Sequence, residues 1–162
     1  MTDRALDRAA ILEAVIPALM ASRGSEAVGA SDIPEETTAL AAVAARSHGI
    51  LAGVAVAGET FARVGSRLRP VMSDGSPVRP GDVVAEVGGP LRAILAAEST
   101  ALRFLADLSS LATRAAADEA PEPRSALERH AIAVGRWEPA RRALPEPAGG
   151  PVAFELVVRE EG

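Results

Sequence analysis

Several residue types on which common protein chemistries depend are absent from this chain of 162 residues. It contains no cysteine, which excludes disulfides, thiolate catalysis and cysteine-ligated metal sites. All 17 of its basic residues are arginine. Without lysine the chain cannot form a Schiff base, carry biotin or lipoate, or supply the lysine of a phosphate-binding loop. These absences exclude whole classes of enzyme.

Aromatic residues and positive charge are also scarce. Aromatics make up 2% of the chain and the net charge is −5. Nucleic-acid surfaces depend on basic patches and stacking rings, so no nucleic-acid partner is expected. No uncharged run approaches the roughly 20 apolar residues that cross a bilayer, and the first residues lack the layout of a secretory signal. We therefore expect no membrane association and a cytoplasmic location.

The spacing of apolar residues predicts a mixture of helices and strands. Residues 3 to 21 have helical spacing with Pro17 inside, and Thr2 or Asp3 is the candidate N-cap. Residues 37 to 46 alternate as a strand of small residues, and residues 54 to 64 form a helix pattern closed by Gly65. The longest regular segment, Leu91 to about Ala117, predicts a long helix with a broad apolar stripe.

Between the two central helices lie two β-like runs, residues 67 to 73 and residues 76 to 87. Asp74-Gly75 separates them and favours a tight hairpin turn. Pro80-Gly81 forms a second turn, so residues 83 to 87 are predicted as a separate strand. Together these patterns predict an α+β fold in which a small antiparallel sheet packs against the long helix and the N-terminal helix.

The C-terminal part differs in composition. Half of the chain's 12 prolines lie between Ala120 and Pro151. We expect residues 118–151 to be a Pro-rich tether with one short helix, Ser125 to Val134. Residues 152–162 alternate as a half-buried strand that returns to the sheet. The predicted division is therefore a main domain over residues 1–117, the tether and the returning strand.

Few side chains are arranged for catalysis. His48 and His130 lack the spacing of metal ligands, and neither a metal nor a cofactor is expected. The hydroxyls of Ser109, Ser110 and Thr113 are better explained by hydrogen bonds to their own helix, or by a packed face, than as nucleophiles. No residue is assigned a catalytic role.

Acidic and basic side chains on the long helix offer one weak candidate site. Glu98 and Asp107 are nine residues apart, which places them out of phase for an acid-base pair. Arg92 and Arg103 are 11 residues apart and return to the same helix face after three turns. Either arginine can bind an anionic substrate group, although snorkelling at a solvated edge is the favoured explanation.

Between Gly49 and Thr113 the motifs follow the order of a known family without a gap. The stretch resembles the N-terminal domain of quinolinate phosphoribosyltransferase, also called carboxylating nicotinate-nucleotide diphosphorylase. The motifs that carry the resemblance are Gly49-Ile50-Leu51-Ala52-Gly53, Phe61, Asp74-Gly75, Pro80-Gly81-Asp82-Val83, Gly89-Pro90, Glu98, Thr100-Ala101-Leu102, Phe104-Leu105, Leu108-Ser109 and Ala112-Thr113.

The resemblance implies an α/β sandwich. In the family, a phosphoribosyl-binding barrel follows this domain, and each subunit's N-terminal domain covers the active site of its partner. Too few residues follow Thr113 for the roughly 200 or more that a (β/α) barrel needs, so we expect a form without the barrel. The family is a pentosyltransferase, and whether this chain is itself an enzyme stays open.

The chain departs from the family pattern where the family binds ligand. Ser99 stands where the family has an arginine that reaches a substrate carboxylate, and a serine lacks both the charge and the bidentate fork. The other departures, each given as the residue found here, are Arg103 for asparagine, Asp107 for arginine, Ser110 for glycine, and Ser22 and Ala27 for acidic residues.

The resemblance and its departures lead to a functional hypothesis. We expect a stand-alone, non-catalytic homologue of this N-terminal domain that acts by protein contact, either with itself as a homo-oligomer or with a barrel-containing homologue. The alternative is a contribution in trans to a nicotinate-nucleotide diphosphorylase active site, with Arg92 or Arg103 replacing the missing arginine. A third possibility is a small-molecule sensor that retains the carboxylate pocket.

Overall fold

The computed structural model describes residues 6–22, 33–144 and 151–159. Five helices and six strands occur in these ranges, and they are numbered here in chain order. The elements are α1 (Arg8–Ser22), β1 (Thr38–Ala45), β2 (Gly49–Ile50), α2 (Val54–Arg63), β3 (Arg67–Pro70), β4 (Pro77–Val78), β5 (Val83–Pro90), α3 (Leu91–Ala116), α4 (Ala126–Arg136), α5 (Glu138–Arg142) and β6 (Phe154–Arg159).

The main sheet has four antiparallel strands in the order β3-β5-β1-β6. The C-terminal strand β6 pairs with β1 from Ala45 opposite Phe154 to Leu40 opposite Arg159. The described part of the last segment, residues 154–159, thus lies beside β1 in the main sheet. Strands β2 and β4 form a separate two-stranded pair.

One face of the main sheet is covered by α2 and α3. The inward side chains of alternate β1 residues pack with Phe61 of α2 and with Ile94 and Leu105 of α3, all fully buried or nearly so. Alternation is the consequence of the two-residue period of a strand, which sends successive side chains to opposite faces. The predicted fold class, a small antiparallel sheet against a long helix, is therefore confirmed.

A second apolar cluster lies on the other side of α2 and α3. It joins α1, through Ile11 and Val15, to α4, through Leu127, Ala131 and Val134. The N-terminal helix thus packs on other helices, whereas the sequence predicts that it packs on the sheet. Its described part is one helix with Pro17 inside it, and the predicted N-caps Thr2 and Asp3 lie outside the described residues.

Helix α4 begins where the sequence predicts, because the Ser125 hydroxyl accepts a hydrogen bond from the Glu128 amide at 3.1 Å. Within the predicted tether, however, α4 packs directly against α3. Gly135 permits this contact, since a Cβ there would overlap the carbonyl oxygen of Ala112. Apolar side chains of α4 are buried in the second cluster. Part of residues 118–151 therefore belongs to the core rather than to a tether.

The predicted hairpin at Asp74-Gly75 is wrong. Strand β3 pairs with β5 rather than with the residues directly after the turn, and β4 pairs with β2. Gly75 does adopt a positive φ of 94°, but its amide donates to the carbonyl of Leu51 at 2.8 Å. The turn therefore connects two sheets. The second predicted turn is confirmed, since β5 begins at Val83, after Gly81 with φ of 95°.

None of the described helices has both the length and the apolar character needed to cross a membrane.

Candidate functional site

The two arginines predicted as an anion site lie on α3 but at different places. Arg92, in the first turn, has Nη1 3.5 Å from Oε1 of Glu35. Arg103 is exposed and lines a groove of about 560 Å³ between α1 and α3. Eleven residues of helix separate the two by about 16 Å along the axis. Arg92 does not line the groove, so the geometry does not gather both arginines around one ligand, and their binding role stays a prediction.

The groove beside Arg103 contains Ser99, the position at which the resemblance implies an arginine. Ser99 and Thr100 line it together with Arg103 and Asp107. Among the described residues, the lining of the groove includes one guanidinium and one carboxylate, four residues apart on the same helix. From this part of the lining an anionic ligand would meet one positive charge next to a negative one.

Two hydroxyl groups on the buried side of α3, those of Ser109 and Thr113, make structural hydrogen bonds. Ser109 Oγ accepts from the Ala52 amide at 2.9 Å and lies 3.1 Å from the Ala52 carbonyl oxygen, to which it donates. Thr113 Oγ1 accepts from the Ile50 amide at 2.9 Å and donates to the Ser109 carbonyl at 2.7 Å. Thr113 confirms the predicted bond to its own helix. Both side chains hold residues 50–52 against α3, so neither is poised as a nucleophile.

Ser110 fixes the chain that leads into β6. Its hydroxyl accepts a hydrogen bond from the Val152 amide at 2.8 Å. The resemblance places a glycine at this position, and a glycine has no side chain to make the bond. The serine found here thus links the C-terminal part of α3 to the segment that leads into β6.

Asp74 forms a polar junction that the sequence patterns did not predict. Its two carboxylate oxygens each accept a hydrogen bond at 3.1 Å, from the amides of Gly53 and Val54 at the start of α2. Its Oδ2 also lies 2.9 Å from Nε2 of His130 on α4. A carboxylate at a helix N-terminus satisfies free amides and complements the helix dipole. Asp74 therefore ties α2 to α4.

One sequence signal indicates such a cap. Helix α2 begins after Gly53, which has no side chain and so cannot cap its own helix. A polar group from elsewhere in the chain is then required for the first amides. His130 is buried, and its Nδ1 has no hydrogen-bond partner among the described residues.

The remaining titratable candidates do not form a reaction centre. Burial raises the pKa of the Glu98 carboxyl above its ordinary value. His48 is exposed, whereas His130 is buried beside Asp74. Within residues 6–22, 33–144 and 151–159, no group of three or more acidic or histidine side chains is arranged to hold a metal ion.

The outer face of the main sheet, opposite the helices, exposes apolar side chains. Leu40 is 51% exposed and Val157 is 46% exposed, on neighbouring strands β1 and β6. A groove of about 530 Å³ crosses the face near Leu40. Its charged lining consists of Arg67, Arg69, Arg159 and Glu86. Of these, Arg69 and Glu86 form an ion pair across β3 and β5.

The sheet, the helical layer and the open outer face together define an α/β sandwich domain. The family model described as the quinolinate phosphoribosyl transferase N-terminal domain matches residues 18–109, more than half of the chain. The chain belongs to this family. The match includes α2, the strands β1 to β5 and most of α3.

Individual relatives agree with this assignment. A probable nicotinate-nucleotide pyrophosphorylase [carboxylating] of Bacillus subtilis (strain 168) is 32% identical over 95 residues, 54% of this chain and 33% of the relative. A protein of the same description from Archaeoglobus fulgidus is 36% identical over 76 residues, 47% of this chain and 30% of the relative. The chain thus spans about a third of the length of these curated relatives.

A solved structure gives the same result for the fold. The crystal structure of a NadC deletion mutant in a cubic space group superposes with a TM-score of 0.72 at 27% identity, covering 81% of this chain and 53% of that chain. The superposed share of this chain is larger than the part that the family model matches.

Proposed function

We propose that this chain acts by protein contact, without catalysing a reaction itself, in or near the biosynthesis of NAD in the cytoplasm. Its partner is a second copy of the chain or a barrel-bearing member of the family. The domain supplies a surface, and any bond-making belongs to the partner. Family membership supports the setting, because the relatives carry the description of carboxylating nicotinate-nucleotide pyrophosphorylases.

The outer sheet face is the observation on which the proposal rests. Leu40 and Val157 expose about half of their surface on a face that the described helices leave open. Apolar side chains grouped in this way on a soluble domain mark a contact surface, because their burial by a partner is favourable. Arg67 and Arg159 lie at the rim, where they can pair with acidic groups of a partner.

The use of polar groups on α3 supports a non-catalytic role. Ser109 and Thr113 satisfy backbone amides of residues 50–52, and Ser110 holds Val152. Each hydroxyl has a structural task. Ser99, at the family's arginine position, has no charge with which to hold a substrate carboxylate.

Light scattering on mixtures with a barrel-bearing family member tests this proposal. Wild-type chain should shift that enzyme to a heavier, defined complex, and Leu40→Arg should abolish the shift by placing a charge in the apolar contact. Met20→Arg is the matched control, because Met20 is 67% exposed but lies on α1, on the far side of the helical layers. Absence of a complex with wild-type chain would contradict a barrel-bearing partner.

An alternative function is favoured by the groove at Arg103. In this alternative, the chain contributes in trans to a nicotinate-nucleotide diphosphorylase active site. Arg103, in the groove between α1 and α3, binds a substrate carboxylate. The assay is nicotinate mononucleotide formation by a mixture with a barrel-bearing enzyme. Arg103→Ala should lower the rate, while Arg114→Ala, another exposed arginine of α3, should not. An unchanged rate with Arg103→Ala would remove this alternative.

A further inference from the structure

The two edges of the main sheet differ in how they are protected. Strand β3 forms one edge and ends in Pro70, which has no amide to offer to another strand. Strand β6 forms the other edge, and its residues Phe154–Arg159 include neither proline nor glycine. Within the described part of the chain, β6 pairs with β1 on one side and with no strand on the other. An edge of this kind is open to pairing with another chain.

Both faces of β6 are accessible near its C-terminal end. Val157 is 46% exposed on the outer face of the sheet, and its neighbour Val158, which points to the opposite face, is 41% exposed. β-Branched side chains fit well on a paired sheet surface. The strand therefore offers apolar contacts on both faces as well as a free row of backbone groups.

The charges of β6 are self-complementary. Glu155 and Arg159 lie two residues before and two residues after Val157, so all three share the outer face. In an antiparallel pair of identical strands centred on Val157, Glu155 of each copy lies opposite Arg159 of the other. Val157 then lies opposite its own counterpart. Any other register separates these opposite charges or leaves them unpaired.

We propose that a second copy of this chain pairs with β6, strand to strand and antiparallel about Val157, to form a continuous eight-stranded sheet. Each cross-strand pair of opposite charges stabilises a sheet, and like charges placed opposite each other destabilise it. Arg46 lies 3.9 Å from Glu155 within one copy, but both side chains are exposed, so this ion pair is a weak competitor.

This inference rests on the proposed function, because it identifies one of the two partners and the strand that binds it. It differs from the contact with a barrel-bearing enzyme in the groups on which it depends, although Val157 and Arg159 lie at the boundary of both surfaces. That contact requires the outer face around Leu40, whereas self-pairing requires the free edge of β6. The two proposals can therefore fail separately.

Sedimentation velocity of the complete chain over a range of concentrations tests the pairing. The wild-type chain should form a dimer. Glu155→Arg and Arg159→Glu should each raise the dimer dissociation constant about tenfold or more, because both place like charges opposite each other. An equimolar mixture of the two variants should recover association, since opposite charges then face each other at both pairs. Arg63→Glu, at an exposed position on α2, which packs beside the opposite edge strand β3, is the control that leaves the dimer unchanged.

A cysteine introduced at Val157 gives an independent readout, because the chain has no other cysteine. Directly opposed residues of an antiparallel pair lie within the range that a disulfide can bridge. Val157→Cys should form a cross-linked dimer on mild oxidation, and Arg63→Cys, at an exposed position on α2, should not. A wild-type chain that stays monomeric at all concentrations would overturn the inference, as would variants that weaken the dimer singly and fail to associate when mixed. Circular dichroism establishes that each variant is folded.

A monomeric wild-type chain that nevertheless binds the barrel-bearing enzyme would overturn self-pairing and leave the proposed function standing. A β6-dependent dimer that binds no such enzyme would support self-pairing and restrict the proposed function to contact between copies.

Discussion

Asp74 and His130 are 56 residues apart in the chain, yet Oδ2 of Asp74 lies 2.9 Å from Nε2 of His130. An ionised carboxylate can only accept hydrogen bonds, so the histidine nitrogen donates. The same carboxylate accepts from the amides of Gly53 and Val54. One side chain thus stabilises the start of α2 and orients α4.

Replacement of Asp74 by alanine should destabilise the domain by about 2–3 kcal/mol, because it removes a helix cap and leaves buried donors without partners. Urea unfolding followed by circular dichroism gives the free energy of unfolding. Asp82→Ala is the matched control, since Asp82 caps only an exposed turn through the amide of Arg79. Equal losses of unfolding free energy in the two variants would show that Asp74 stabilises the domain no more than an exposed turn cap does.

The close contact of α4 with α3 at Gly135 makes a second prediction. Gly135→Ala should destabilise the domain by about 2 kcal/mol or more, because its Cβ would also lie 2.8 Å from the carbonyl carbon of Ala112. Gly58→Ala in α2 should have the opposite sign and stabilise by about 0.5–1 kcal/mol, since its Cβ would meet only Leu68 at 3.8 Å. Thermal unfolding distinguishes the two, and a tolerated Gly135→Ala would show that α4 can move away from α3 at little cost.

The Ser109 hydroxyl should be essential to the packing of residues 50–52. Ser109→Ala removes the partner of the Ala52 amide, which is buried, and should cost about 2 kcal/mol of stability. Ser99→Ala is a control on the same helix, where the serine is exposed. Chemical denaturation of both variants is the measurement. If Ser109→Ala is as stable as the wild-type chain, the serine does not hold this segment.

Glu98 should make stability depend on pH. Burial raises its pKa in the folded state above the ordinary value of 4.5, so the folded state binds its proton more tightly than the unfolded state does. The stabilisation from this proton is fully present below the ordinary pKa and is lost as pH rises through the raised pKa. Glu98→Gln should therefore increase the melting temperature at pH values above the raised pKa, where the wild-type carboxylate is charged.

The same substitution should leave the melting temperature almost unchanged below the ordinary pKa, where the wild-type carboxyl is already neutral. Glu119→Gln, at an exposed position, serves as the control for the loss of one negative charge. An equal shift for Glu98→Gln at both pH values would contradict the role of burial.

The sequence was sufficient to predict features that depend on local pattern. The alternation of Phe154, Leu156 and Val158 predicted the strand β6, and the absence of proline and glycine after Leu91 predicted the long helix. Both patterns reflect the residue period of a single helix or strand, and this period can be read from the local sequence alone. The fold class followed from them and from the resemblance.

Long-range features escaped prediction. The Asp74-Gly75 pair satisfies the local preference of a hairpin turn, but the distant amides at the start of α2 and the His130 ring determine where Asp74 points. The helix α4 itself was predicted from Ser125 to Val134, but the high proline content of residues 118–151 indicated a tether and so obscured the packing of α4 against α3. Which arginine lines a groove depends on the placement of α1, and no periodicity within α3 contains that information.

Under the proposed function, this chain retains the supporting and contacting framework of its family while bond-making belongs to a partner. The most direct test incubates the purified chain alone with quinolinate and phosphoribosyl pyrophosphate and measures nicotinate mononucleotide, with a full-length family member as positive control. We predict no product above the rate without protein. Conversion that follows the concentration of the chain would contradict the claim.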